Sequence, residues 1–322
     1  MLKNVQLITT ATLLASSILL VGCGSSDEPD TAVFSLAVSD APVDSADEVW
    51  ACFGAIELVG NGQGTKVFTI GDHSNAIASN DVCKNASGET IANTRGINLL
   101  EFTGSDSENI LDGVEVQAGT YNQLRLVMSE GSYVQVGDEK IPLSVPSNEL
   151  KFDSVTLTAG GQSNYTVEFD LRQALVNPVG QAGYFLKPRG VRLVDNALIG
   201  HIEGTVAEAL LINNECTVAP TEVTSPVAVV YLYAGHDLAV ADLADVGGNE
   251  SIEPYAVTGV YYDNVSSYAF EIGFVDEGDY TAAWTCDLED DAEADDLIEF
   301  ISTIELTVGA DGEVVQADFT VD

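Results

Sequence analysis

The sequence is poor in basic residues. Only 11 of its 322 residues are Lys or Arg, and none of them follows Arg192. Asp and Glu number 51, which gives a formal net charge of −40. A field this negative repels nucleic acids and anionic lipid headgroups, so neither is expected as a partner. It favours divalent cations, basic proteins or a salt-rich habitat, and a solvated acidic surface suited to such a habitat is the simplest interpretation.

Motifs of the common enzyme classes are also missing. The chain has no G-x-S-x-G elbow, no H-E-x-x-H, no Walker A loop and no G-x-G-x-x-G fingerprint. The three histidines are scattered, and His201-Ile202-Glu203 lacks the P-C-x-x-C that accompanies H-x-E in deaminases. With 51 acids, a carboxylate pair for glycoside hydrolysis is neither excluded nor diagnostic. The prediction is a protein that is not an enzyme and has no cofactor; weak binding of Ca²⁺ is the alternative.

The N-terminus resembles a bacterial lipoprotein signal. A basic start precedes an apolar run over residues 7–21, and the sequence LVGC ends at Cys23. This run is shorter than the roughly 20 residues that cross a bilayer. The resemblance implies a signal peptide over residues 1–22, lipidation of Cys23 and a flexible tether over 23–31. Gly24, where retained lipoproteins have Asp, implies an outer-membrane protein. The alternative is an ordinary signal peptide with an incidental cysteine.

Four cysteines remain in the exported chain, and four thiols allow three pairings. The pairs Cys52–Cys83 and Cys216–Cys286 are favoured because each stays within one candidate domain. Loops of these lengths give about 4 kcal/mol of stabilisation each in the chain-entropy model. No C-x-x-C occurs, so structural disulfides are favoured over a metal or redox role.

The patterning predicts an all-β protein made of two tandem antiparallel β-sandwich domains. Short segments such as TKVFTI, YNQLRLVMS and ISTIELTV alternate or run apolar, and turn signals separate them. SYVQVGDEKIPLSV predicts a hairpin that turns at Gly137-Asp138. The best candidate for a helix is AEADDLIEF, near residues 292–300. A domain boundary is expected at 195–200, because no basic residue follows it.

Residues 32–196 resemble the bacterial family catalogued as domain of unknown function 4382. The resemblance rests on the order of VSDAPVDSADEVWACFGAIELV, VQAGTYNQLRLVM, YTVEFDLRQALV and GYFLKPRGVRLVD. It implies lipoprotein anchoring and a β-rich fold but no activity. Residues 59–95 form an insertion that does not follow the family pattern.

Residues 199–322 resemble a transthyretin-like or carboxypeptidase-regulatory-like β-sandwich. HIEGTV, PVAVVYLYAG, SYAFEIGFVDEGDYTAAWTC and VVQADFTV follow its strand order. Such domains are usually noncatalytic, which the resemblance implies here too.

The sharpest acidic cluster contains the candidate metal ligands Asp287, Glu289, Asp290 and Asp291. Carboxylates are ligands that Ca²⁺ prefers. The run lacks the D-x-[DN]-x-[DN]-G spacing of a calcium loop, so a flexible acidic loop is the favoured interpretation and weak Ca²⁺ binding the alternative.

Four basic residues, Arg172, Lys187, Arg189 and Arg192, lie within 21 positions. They predict ion pairs with neighbouring strands or with the acidic second domain; the alternative is a subsite for an anion or a glycan. Asp40 in S-D-A-P is expected to form an Asx-type turn before Pro42.

The function predicted from the sequence is a noncatalytic binding or scaffolding module of the cell envelope, lipid-anchored in the outer membrane. Its partner, an envelope protein or a glycan, is not identified. A calcium-assisted glycan-binding or adhesion accessory protein is the first alternative, and an envelope hydrolase is the second.

Overall fold

The computed structural model describes residues 30–41, 46–60, 62, 64–178 and 180–321. The fold of these residues is all-β, as predicted, with 21 strands and two short helices. Cys23, the signal peptide and most of the expected tether lie outside the described residues. No helix in the described part of the chain is long and apolar enough to span a membrane.

The first part of the chain forms two sheets. Its strands are β1 (Thr31–Ala41), β2 (Glu48–Gly60), β3 (Thr65–Thr69), β4 (Arg95–Asn98), β5 (Glu108–Gln117), β6 (Gly119–Met128), β7 (Tyr133–Val136), β8 (Glu139–Ser144), β9 (Glu149–Phe152), β10 (Val155–Leu157), β11 (Gln162–Asp170), β12 (Leu175–Val176), β13 (Tyr184–Leu186) and β14 (Val191–Asp195). Helix α1 (Leu171–Ala174) follows β11 directly.

The two sheets of the first part enclose one core. The smaller sheet has the order β14-β11-β1-β5; the larger follows β10-β6-β2-β7-β8-β13-β12, with β3 and β4 on β2 and β9 on β6. Phe53 of β2 meets Phe169 of β11 edge to face, with ring centroids 6.3 Å apart. Strands β1 and β11 are parallel, as are β8–β13, so pairing here is not purely antiparallel.

The second part forms a single seven-stranded sheet around a core that contains Trp284, Tyr268 and Phe319. The order is β20-β19-β16-β17-β18-β15-β21, and β15–β21 is its parallel pair. The elements are β15 (Ile199–Thr205), α2 (Glu208–Asn213), β16 (Ala228–Ala234), β17 (Ala256–Tyr262), β18 (Tyr268–Asp276), β19 (Gly278–Thr285), β20 (Ser302–Val308) and β21 (Glu313–Gln316).

Several local predictions are confirmed. β7 and β8 form the expected hairpin, and Gly137 adopts the positive φ of 57° that its tight turn requires. Cys52 pairs with Cys83 and Cys216 with Cys286, with Cα–Cα distances of 5.9 and 5.4 Å. Each disulfide stays within one part of the chain.

The helix expected near residues 292–300 is wrong, because this segment has no regular structure. Carboxylates take up its backbone donors instead. The N–H of Asp291 donates to the carboxylate of Asp296, and the N–H of Glu293 donates to Asp291. The N–H of Asp296 donates to Asp245, 51 positions away. Asp side chains compete in this way with the helical backbone ladder.

The two parts meet directly. Strand β14 ends at Asp195 and β15 begins at Ile199, so three residues connect them. The main cores are separate, but a third cluster joins Val176 of the first part to Val229, Tyr231 and Val257 of the second. This shared apolar cluster lies beside the polar site described next.

Candidate functional site

A cluster of buried charged residues lies at the junction of the two parts. Asp40 on β1, Glu168 and Asp170 on β11, and Arg192 on β14 come together through strand register. Ser39 pairs with Glu168, which in turn pairs with Arg192 across β14. The three acids are at most 1% exposed. Parallel pairing of β1 with β11 brings side chains together that are about 130 positions apart in sequence.

The position of Asp40 differs from the expected Asx-type turn. It lies inside β1, where its backbone N–H donates to the carbonyl of Phe102 at 2.8 Å. Its Cα pairs with Phe169 on β11. Asp40 is therefore a fully buried strand residue, because β1 continues to Ala41 with β11 on one side and residues 102–103 at its end.

Protonation balances the charge of this cluster. Burial raises the pKa of Asp40 well above its ordinary value, and Glu168 and Asp170 raise it further. Burial likewise raises the pKa of Glu168 to about 8, although Arg192 opposes the shift. Three ionised carboxylates beside one guanidinium would leave net negative charge in the interior, which is costly. The raised pKa of Asp40 and Glu168 favours the protonated form of each, and with a pKa of about 8 Glu168 holds a proton at neutral pH.

Asp170 is the carboxylate that remains for Arg192. Its Oδ2 accepts hydrogen bonds from Gln173 Nε2 at 2.7 Å and from the Val257 N–H at 2.9 Å. Its Oδ1 accepts from the Gln173 N–H, which caps α1. Burial raises the pKa of Asp170, while Arg192 and these donors lower it. Donors to a carboxylate favour its ionised form.

Arg192 reaches into the second part of the chain. Its Nη1 donates to the carbonyl of Tyr255 at 3.0 Å, and its guanidinium carbon lies 4.6 Å from the centre of the Tyr255 ring. Gln173 Nε2 also lies 3.4 Å from that carbonyl. Together with the bond from Val257 to Asp170, these contacts form a buried polar clamp between the two parts.

The other three of the four clustered basic residues make different contacts. Lys187 pairs with Glu293 of the second part at 3.3 Å. Arg189 Nε donates to the carbonyl of Gln173 at 3.2 Å. Arg172 lines a cleft of about 560 Å³ together with Asp290. Lys187 and Arg192 thus contact the second part directly.

Of the four acids proposed as metal ligands, one joins a tight group of carboxylates. Asp245, Asp290 and Asp296 have ligand oxygens within 4.8 Å of one another. A second group of the same kind consists of Asp245, Glu250 and Asp295. The remaining candidates, Asp287, Glu289 and Asp291, belong to neither group.

The surroundings of Asp290 are largely buried. Its Oδ2 accepts hydrogen bonds from the hydroxyl of Tyr231 and, at 3.2 Å, from the N–H of Val246. Burial raises the pKa of Asp290 to about 6; Asp245 and Asp296 add to the rise, whereas the two donors oppose it. Burial also raises the pKa of Asp245.

A cleft of about 810 Å³ lies between the two parts. Its acidic lining includes Glu222, Asp263 and Glu271, and its aromatic lining includes Tyr261 and Tyr262. No Lys or Arg is present among its lining residues. A concave site with carboxylates and aromatic faces suits a cationic or a neutral hydroxylated ligand and disfavours an anion.

Close backbone contact forms the floor of this region. A Cβ on Gly273 of β18 would lie 1.7 Å from the carbonyl oxygen of Gly104. Gly104 itself has a φ of +62°, and a Cβ there would lie 2.1 Å from a carboxylate oxygen of Glu271. Only glycines fit at both positions, so the first part contacts β18 directly.

One family model matches the first part of the chain. Residues 31–188 match the model of the family described as Domain of unknown function (DUF4382). This match confirms the resemblance over residues 32–188; residues 189–196 lie beyond it. No curated protein matches the chain. Within the DUF4382 region lie Asp40, Glu168 and Asp170, whereas Arg192 follows its end.

Two solved structures show weak similarity. One is the Streptococcal ancillary pilin, 11% identical, with a TM-score of 0.18; the match covers 90% of this chain and 63% of the pilin. The other is described as a cell adhesion protein from Parabacteroides distasonis, 11% identical, with a TM-score of 0.17, covering 86% of this chain and 82% of that one. Scores this low carry no argument about fold or function.

Sequence reasoning missed the buried acids and Asp245. For two of the buried acids the sequence did offer a signal: E-F-D ends an apolar strand, and this spacing places Glu168 and Asp170 on one face of it. Their burial follows from β1 and β14 lying on either side of β11. Asp245 stands before Gly247-Gly248 in a turn, and only the tertiary fold brings it to the 290–296 loop.

Proposed function

We propose that this protein is a noncatalytic binding module of the cell envelope, anchored through lipid at Cys23, in which two β domains together form an acidic binding cleft. The observation that carries this proposal is the buried clamp at the junction. Because polar groups of each part satisfy those of the other, separating the parts would expose or orphan them. The cleft beside the clamp then has a permanent shape.

The clamp also argues against a hydrolase. Glu168 and Asp170 have raised pKa values, as catalytic acids often do. Neither lines the clefts of about 810 and 560 Å³, and both are sealed from solvent. Neither is accessible to a substrate through these clefts; Asp170 instead accepts a hydrogen bond from Val257 of the second part, and Glu168 lies beside Arg192 in the sheet of the first.

The lining of the larger cleft favours a basic segment of an envelope protein as the partner. Glu222 and Glu271 provide negative charge, and Tyr262 offers a partly exposed ring that stacks on Tyr268 at 5.0 Å. Carboxylates attract Lys and Arg side chains, and tyrosine rings bind cations on their faces. A neutral glycan is the second candidate, because the same tyrosine faces suit sugar rings.

Binding of a ten-residue lysine peptide to the purified full chain in detergent tests the cleft. The double variant Glu222→Gln/Glu271→Gln removes two lining charges. The control, Asp311→Asn/Glu313→Gln, removes two exposed charges from the turn before and the start of β21, which do not line the cleft. We expect the cleft variant to bind roughly tenfold more weakly and the control to match the wild type at 150 mM salt.

An equal loss of peptide affinity in both variants would show that only the general negative field attracts the peptide. That result would overturn the assignment of the cleft as the binding site. Binding of neutral glycans, lost in a Tyr262→Ala variant while the lysine peptide does not bind, would select the second candidate. Turnover of any bound peptide or glycan would contradict a noncatalytic role. Lipid attachment is tested separately, by radiolabelled palmitate in the wild type and in Cys23→Ser.

A further inference from the structure

We propose that the second β domain binds one Ca²⁺ between the turn at residues 245–250 and the loop at residues 290–296, through the carboxylates of Asp245, Asp290 and Asp296. This site goes beyond the proposed cleft and differs from the set of four metal ligands predicted from the sequence. Only Asp290 is common to both sets.

Two buried carboxylate oxygens carry the proposal. Asp245 is only 3% exposed, yet its Oδ1 has no hydrogen-bond partner among the described residues. Oδ1 of Asp290 is also buried and has no such partner. An unsatisfied buried carboxylate oxygen is costly, and two of them within one group point to a cation that satisfies both.

The hydrogen bonds of the group leave these oxygens available. In each carboxylate, the N–H or O–H donors go to Oδ2: Asp245 accepts from Asp296, Asp290 from Val246 and Tyr231, and Asp296 from Asp291. These bonds fix the orientation of all three side chains from outside. Such outer contacts are what orients ligands in a metal site.

The turn is shaped to leave room beside Asp245. A Cβ on Gly248 would lie 1.8 Å from Oδ1 of Asp245, and a Cβ on Gly247 would lie 2.8 Å from the carbonyl oxygen of Ala294. Glycine at these two positions therefore leaves Oδ1 of Asp245 free of side-chain contact from the turn and allows the close approach of the 290–296 loop. Without them, the oxygens would be covered by side chains.

The chemistry of the donors selects Ca²⁺ among common cations. All three side chains offer oxygen, and no Cys or His belongs to the group, which disfavours Zn²⁺. Ca²⁺ takes six to eight oxygen ligands in flexible geometry, whereas Mg²⁺ is usually held through one or two carboxylates and keeps several waters, so a group of three carboxylates favours Ca²⁺.

Calcium would join the 245–250 turn to the 290–296 loop, and residues in and after this loop make two further stabilising contacts. Phe300, which follows the loop, packs edge to face against Tyr231 and Tyr233 at 5.1 and 5.9 Å. Glu293 of the loop holds Lys187 of the first part. An ion at Asp245 and Asp290 would thus stabilise both the loop and one of the contacts between the two parts.

The test uses the full chain in detergent, stripped with EDTA, with calcium chloride as the probe. Thermal unfolding and calorimetric titration are compared for the wild type, for Asp245→Asn/Asp290→Asn and for a control, Asp287→Asn/Glu289→Gln. The control removes the same charge from the same acidic run but no proposed ligand. Asn keeps the oxygen that accepts the existing hydrogen bonds, so both test substitutions preserve the local contacts.

We expect the wild type to bind one Ca²⁺ per chain and to melt at a higher temperature with it. The control should bind within about threefold of the wild type, and the test variant at least about 30-fold more weakly. In EDTA the test variant should melt no lower than the wild type, because it loses two like charges that repel. Absence of a calcium effect on the wild type, equal loss in the control, or an equal response to Mg²⁺ would overturn the assignment.

A second measurement needs no variant. Tb³⁺ occupies calcium sites and emits when a neighbouring tyrosine absorbs light, and the hydroxyl of Tyr231 donates to Asp290. Excitation at the tyrosine band should give Tb³⁺ emission that Ca²⁺ displaces at one equivalent per chain. No emission, or emission that Ca²⁺ does not displace, would overturn the site even where a variant fails to fold.

Discussion

Replacing Glu168 with Gln should change how stability depends on pH. Glu168 is 1% exposed, lies between Ser39 and Arg192 in the sheet, and has its pKa raised to about 8. The reference value for the unfolded chain is 4.5. Between these values the folded protein holds a proton that the unfolded chain has lost, so the free energy of unfolding falls as pH rises.

The expected magnitude follows from the width of that window. Each pH unit lowers the free energy of unfolding by about 1.4 kcal/mol, so a window of about 3.5 units corresponds to about 5 kcal/mol. The stabilisation is complete below pH 4.5, is lost progressively up to about pH 8, and changes no further above it. Gln resembles the protonated carboxyl in shape and does not titrate, so Glu168→Gln removes this component.

Urea unfolding followed by far-UV circular dichroism at pH 5, 6, 7 and 8 measures the effect. The stability of Glu168→Gln minus that of the wild type should increase by roughly 4 kcal/mol from pH 5 to pH 8. The control Glu115→Gln removes an exposed carboxylate from β5 of the same sheet, and its difference should stay flat. A flat or falling difference for Glu168→Gln would refute the conclusion that Glu168 is protonated in the folded protein.

Three further predictions concern the junction, the apolar cluster shared by the two parts and the lipid anchor. Arg192→Met should lower the free energy of unfolding by about 3–5 kcal/mol in urea, because it leaves buried Asp170 without its cation; no change would exclude the clamp. Tyr233→Phe should cost about 1–3 kcal/mol, because the buried carbonyl of Ala244 loses its donor at 2.6 Å; calorimetry checks this, and an unchanged melting temperature would contradict it. Cys23→Ser should move the protein from the membrane pellet to the soluble fraction, and retention in the pellet would exclude a lipid anchor.

The strands could be predicted because their patterns are local. Alternation in YNQLRLVMS and the Gly137-Asp138 turn carry enough information to define β6 and the β7–β8 hairpin. The disulfides followed from the even number of thiols and the division of the chain into two parts. Tyr231 and Tyr233 lie two positions apart on β16, which places them on one face of the strand, and their rings stack at 6.4 Å.

The polar sites could not be predicted because they depend on register between distant strands. Nothing local shows that Asp40 lies beside β11, since a parallel pair between residues 33–41 and 162–170 leaves no signature in either segment. The acidic run near residue 290 gave a local pattern that predicted the wrong structure. Its composition suggested a helix, but its Asp side chains bind its own N–H groups and bring it to Asp245.

Because charge is distributed unevenly along the chain, the basic side chains at the junction all come from the first part. The second part has 27 acids and no Lys or Arg, so every Lys or Arg that meets its groups comes from the first part. Arg192 binds the carbonyl of Tyr255 and Lys187 binds Glu293, while Asp170 of the first part accepts from the N–H of Val257. Donor and acceptor are thus divided between the two parts, and neither can satisfy its buried groups alone. A connection of only three residues would otherwise allow the parts to move, so the clamp is what makes one acidic cleft out of two β domains.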